Sequence, residues 1–149
     1  MTAVEQSLPA KEQQPKTIYL KDYQVPGYLI KTTDLRFEIY DGETIVSAML
    51  HLYRNPAATA PAIQLTLHGA DLELISIALD GKVLSSDDYE FGEESLTIFN
   101  TPAEFKLLSI TKIKPESNTS LEGLYRSRTM YCTQCEAEGF RKITYYLDR

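Results

Sequence analysis

From Asp34 the chain alternates with a period of two: Leu35, Phe37 and Ile39 fall on one side, Arg36, Glu38 and Tyr40 on the other. That is the signature of a half-buried strand. Asp41-Gly42 then supplies a turn that tolerates positive φ, and Thr44 to Tyr53 returns with Val46, Ala48, Leu50 and Leu52 on its apolar face. A hairpin follows directly. After the loop from Asn55-Pro56 to Pro61, Ile63, Leu65 and Leu67 alternate with Gln64, Thr66 and His68 until Gly69 ends the run. Leu72 to Leu79 is the next strand, turned by Asp80-Gly81 into Lys82 to Leu84. Asp87 to Phe91, Ser95 to Asn100 and Phe105 to Ile113 complete the set. About eight short strands at intervals of roughly 8–12 residues predict an all-β fold, an antiparallel sandwich or saddle-like sheet. Tyr23 to Ile30 is interrupted by Pro26-Gly27 and reads as extended. Helical spacing is absent until Glu136 to Thr144, where a short helical segment near the C-terminus is expected.

The two ends differ from this pattern. Met1 to Lys16 is rich in Gln, Glu and Lys, with Pro9 and Pro15, and predicts a disordered leader over 1–16. The β-domain is expected over 17–149. Thr144 to Arg149 is aromatic and apolar with no tapering polar tail, so the domain is expected to continue beyond its last residue.

A chain of 149 residues fits one domain. At that size a compact fold buries roughly 68–70% of its unfolded surface, so neither metal nor disulfide is needed to hold it. The net charge of −6, with no dense Lys/Arg run, argues against nucleic acid and anionic lipid as partners. No run of about 18 apolar residues exists, which predicts no transmembrane helix. The N-terminus lacks the basic start and apolar core of a secretory signal, and the two cysteines lie too close together to staple a fold. The cytoplasm is the expected compartment.

Candidate chemistry is sparse. His51 and His68 are the two histidines, each expected as a solvated strand histidine, and no G-x-S-x-G, Gly-rich phosphate loop or H-E-x-x-H occurs. Catalytic residues are therefore not expected in this chain. Asp87-Asp88 and Glu93-Glu94 sit at turns and read as surface. Cys132-Thr133-Gln134-Cys135 is half a zinc motif or a redox pair, but no second pair completes a site and the β-rich setting does not suit a thioredoxin-like motif. Incidental thiols are the favoured reading. Beside them, Gln134, Glu136 and Glu138 lie between Tyr131 and Phe140, where the period breaks down. A carboxylate there can meet a ligand ammonium. Equally, Glu136 and Glu138 can supply the acidic first turn of a short helix, and pattern alone favours that alternative.

At these residues the sequence resembles a known family. C-T-Q-C-E-A-E-G-F-R-K-I-T-Y-Y-L-D-R (Cys132 to Arg149), N-T-S-L-E-G-L-Y (Asn118 to Tyr125) and K-D-Y-Q-V-P-G-Y (Lys21 to Tyr28) resemble, in order, the N-terminal domain of bacterial zinc aminopeptidases of the aminopeptidase N type. The resemblance implies a multidomain exopeptidase that removes residues from peptide N-termini. Its zinc ligands, the histidines of H-E-x-x-H and a further glutamate, would lie beyond residue 149, so no metal or other cofactor is expected on this chain. It further implies that a Gln-x-Glu segment, here Gln134 and Glu136, joins the substrate pocket, with the glutamate binding the peptide's α-ammonium. Expected partners are thus the peptide N-terminus and a catalytic domain. Glu138, Cys132 and Cys135 are expected to be structural, and the isolated chain to be inactive, exposing apolar surface and self-associating. A free-standing β-sandwich binding or regulatory module is the alternative, and a small metal or redox protein using Cys132 and Cys135 a third reading.

Overall fold

The structure, a computed structural model, describes residues 19–59 and 63–148. The expected leader, 1–16, lies outside the described residues. Ten strands follow in chain order: β1 (Tyr28–Tyr40), β2 (Glu43–Arg54), β3 (Leu65–His68), β4 (Glu73–Leu79), β5 (Lys82–Val83), β6 (Tyr89–Phe91), β7 (Ser95–Ile98), β8 (Glu104–Ile113), β9 (Gly123–Ser127) and β10 (Met130–Gln134). They form a five-stranded sheet ordered β1-β2-β8-β4-β5, a three-stranded sheet β3-β7-β6 and a β9-β10 ribbon. All pairings are antiparallel. The all-β expectation holds.

Period-two patterning places the core. On β2, every second residue from Thr44 to Leu52 is buried, and each faces a buried residue of β8. Leu50, Leu52 and Leu107 meet Leu65, Leu67, Leu96 and Ile98 of the smaller sheet, so the two sheets close as layers over one apolar core. Gly42, at φ +82°, makes the β1-β2 turn as expected. Tyr28 belongs to the same core. Its hydroxyl lies 2.8 Å from the Thr101 hydroxyl and donates to the Pro102 carbonyl, which satisfies the one polar atom of a buried ring.

Three details depart from the sequence reading. The extended run around Pro26-Gly27 and the strand from Asp34 are joined, because a register shift between Ile30 and Thr32 lets β1 run on for 13 residues. The β9-β10 ribbon was not anticipated. Near the C-terminus, the expected short helical segment is a single 3-10 turn, Gly139–Lys142, which begins three residues after Glu136. Thr144 and Tyr145 are buried, and the Thr144 hydroxyl lies 3.3 Å from that of Ser109 on β8. The terminal segment is therefore an inner layer, clamped to β3 by paired His68–Tyr146 backbone bonds of 2.7 and 3.0 Å. No helix of the described residues is long and apolar enough to cross a membrane.

Candidate functional site

The ribbon sets the position of Gln134 and Glu136. Gln134 ends β10 and pairs with Gly123, the first residue of β9. Gly123 has φ +72°, and a Cβ there would stand 2.8 Å from Lys142 Cβ. Gly139 is tighter still: its Cβ would lie 2.4 Å from the Gln134 carbonyl oxygen. The absence of a Cβ at both positions lets the ribbon lie this close to the 3-10 turn. Gly139 N–H then donates to the Cys135 carbonyl at 3.0 Å, closing a tight loop that contains Glu136. The Glu136–Ala137 peptide within it is cis.

The upstream N-T-S-L-E-G segment supports the same junction. Asn118 uses its whole amide: Nδ2 donates to the carbonyls of Glu122 and Leu124, and Oδ1 accepts from the Ser120 N–H and hydroxyl, all within 3.1 Å. Lys142 reaches back to Ser120 Oγ at 3.1 Å and to the carboxylates of Asp71 and Glu122 at 3.4 and 3.5 Å. On the far side of the ribbon, Tyr131 donates to Glu116 at 2.6 Å. That bond, more than any other influence, holds the Glu116 carboxyl below its ordinary range and raises the Tyr131 phenol.

Within this frame the carboxylates divide. Arg141 engages Glu138 at 3.2 Å and Asp148 at 3.2 Å. Glu136 has neither ion pair nor side-chain hydrogen bond among the described residues, and it is exposed, as is Gln134. The helix-dipole alternative for Glu136 finds no α-helix to serve. The sequence reading passed over Arg141, Lys142, Gly123 and Gly139. The two glycines carried a signal, each bordering a place where strand periodicity fails.

Cys132 and Cys135 are both free and partly exposed. Cys132 sits in β10, so three extended residues separate the two α-carbons by roughly 10 Å, beyond the roughly 7 Å a disulfide spans. Cys135 packs against the cluster of Val46, Ile113, Leu124 and Ile143. Burial, and then Asp148, pushes its thiol pKa up, away from the thiolate needed for redox or metal chemistry. Among the described residues, no three His, Cys, Asp or Glu side chains gather as a metal site, so the zinc implied by the resemblance has no ligand set in them.

The histidines differ from expectation in one case. His51 lies on the outer face of β2, 2.7 Å from Glu104. His68 is not simply solvated: its Nδ1 is buried without a hydrogen-bond partner. Burial, and then the nearby Arg141 charge, lowers its pKa. A cleft of about 540 Å³ is lined by Asp71, Glu73, Lys112, Asn118, Ser120 and Lys142, and does not include Gln134 or Glu136. Lys112 and Lys142 are already paired there with Glu73 and Asp71.

Comparison with known proteins gives a consistent result. No family model matches the chain. It is 45% identical over 137 residues to aminopeptidase N of Escherichia coli, and 44% identical over 135 residues to that of Caulobacter vibrioides. These matches cover 92% and 91% of this chain, yet the chain spans only 15% of each relative. A solved aminopeptidase A of Legionella pneumophila, in complex with aspartic acid, superposes with a TM-score of 0.81 at 27% identity, over 87% of this chain and 15% of that one. An M1 zinc metallopeptidase from Deinococcus radiodurans shares the fold, with a TM-score of 0.65 at 14% identity over 83% of this chain and 30% of that one.

Proposed function

We propose that this chain, an N-terminal domain of the aminopeptidase N family, caps the active site of a larger zinc aminopeptidase and lends it Glu136 as a ligand for the substrate's α-ammonium. The observation that carries this reading is the unpaired Glu136 carboxylate, exposed on a loop whose neighbouring acids, Glu138 and Asp148, are both taken by Arg141. An exposed carboxylate free of internal cations suits a charge-assisted bond to an incoming one. Gln134 lies two residues away on the end of β10, where its amide can bind the same peptide terminus. An exopeptidase gains twice from such a contact: the amine is recognised, and its distance to the scissile bond is fixed.

In this reading zinc belongs to the full enzyme, where it supplies the activated water. This chain contains no H-E-x-x-H, and its role is to bind and orient. The full enzyme acts on peptide N-termini, pairs this domain with a catalytic domain, and resides in the cytoplasm, which suits two unpaired thiols.

Two assays test the proposal. The purified 149-residue chain should release no arylamine from an aminoacyl-arylamide, with or without added zinc; chelator-sensitive release would contradict it. In the full-length enzyme, Glu136→Gln should lower kcat/KM by about 10- to 100-fold, the worth of a hydrogen bond between charged groups. An unchanged kcat/KM would remove Glu136 from the site.

A further inference from the structure

We infer that Arg141 is a positioning residue that selects Glu136, among four neighbouring acids, as the carboxylate available to the substrate ammonium. The inference rests on the amine-binding reading above and assigns the device that makes it work.

The Arg141 side chain is only 14% exposed, yet three carboxylates surround it: Asp148 at 3.2 Å, Glu138 at 3.2 Å and Glu94 at 3.7 Å. Its Nη2 also donates to the Asp148 backbone carbonyl at 3.0 Å. The residue's main chain is held as firmly, with its N–H on Asp148 Oδ2 at 2.9 Å and its carbonyl accepting from Ala70 N–H at 3.0 Å. These ties fasten the 3-10 turn to the β6-β7 turn, to the end of β3 and to the terminal segment. The turn begins at Gly139, whose N–H closes the Glu136 loop. A shift of Arg141 would therefore move that loop.

Charge adds a second effect. Without Arg141, Glu138 stands two residues from Glu136 as another free acid, with Asp148 behind it. An ammonium could then settle on the wrong carboxylate, with its scissile bond out of place. The planar guanidinium suits this duty because it can hold several oxygens at once, which an ammonium on a flexible stem does less well.

A mutant cycle in the full-length enzyme tests the inference, with kcat/KM read on an aminoacyl-arylamide for Glu136→Gln, Arg141→Gln and the double variant. Arg141→Gln should lower kcat/KM roughly tenfold, as expected for a displaced positioning contact. In the Glu136→Gln background the same change should cost less than about twofold, since residues acting as one unit are not additive. Arg141→Lys should fall between wild type and Arg141→Gln, and it carries the same cycle if Arg141→Gln does not fold. Full additivity, or an Arg141 variant as active as wild type, would overturn the inference while leaving Glu136 in place. No effect from Glu136→Gln alone would instead overturn the amine-binding reading and this inference with it.

Discussion

Between the two sheets, Leu50, Leu52, Leu67, Leu96, Ile98 and Leu107 are fully buried in one apolar cluster. At the junction from Gly123 to Asp148 the apolar cluster is small, four buried residues with a few partly covered neighbours. There the chain is placed by glycine contacts, by the Asn118 amide, and by Arg141 and Lys142 on five carboxylates. The first region tolerates exchange of one aliphatic residue for another of like volume. The second depends on atoms at particular points, which suits the amine-binding role proposed for it.

The largest effect should come from the core. Leu50→Ala removes most of a fully buried side chain and should destabilise the domain by about 2–5 kcal/mol in urea unfolding of the 149-residue chain. Gly139→Ala sharpens the contrast: it adds one methyl group where a Cβ meets the Gln134 carbonyl at 2.4 Å, and should cost about 1–3 kcal/mol in the same measurement. A neutral Gly139→Ala would mean that the close approach of ribbon and turn does not hold the junction.

The contrast can also be read in pH. His68 faces Arg141, Asp148 and Glu138 at the junction, and burial lowers its pKa from the ordinary 6.5. The unfolded chain therefore takes up a proton near pH 6.5 that the folded one resists. Stability should be complete above that value and decline as pH falls below it. His68→Gln should flatten the change in unfolding midpoint between pH 7.5 and 5.5. A core variant such as Leu50→Ala should shift the midpoint equally at both. The smallest effect is expected outside both regions, at the exposed Glu73, 2.7 Å from Lys112: Glu73→Gln should leave the midpoint unchanged within error.

The same contrast explains what could be read from sequence. Strands β2 and β8 were legible because burial on one face of a sheet imposes alternation, and Val46, Ala48, Leu50 and Leu52 record it. The β9-β10 ribbon was not, since Gly123 to Gln134 buries only Gly123 and Leu124 fully and has no apolar period to detect. Gln134 and Glu136 emerged through a family resemblance; pattern alone favours an acidic helix start. What sets Glu136 apart from its neighbouring acids is the pairing of Arg141 with Glu138 and Asp148, a three-dimensional fact that no periodicity carries. His68 was misjudged for a related reason. A residue ending a short strand looks solvated until the terminal segment folds back across it.

The central claim is that Glu136 recognises a free amine, and the most direct measurement is inhibition of the full-length enzyme by an amine-bearing dipeptide analogue and by its des-amino counterpart. Wild type should prefer the amine by about 10- to 100-fold, the worth of a charge-assisted hydrogen bond. Glu136→Gln should bring the two inhibition constants together by weakening only the amine-bearing compound. A preference that survives Glu136→Gln in full would contradict the account and place amine recognition on other residues of the enzyme.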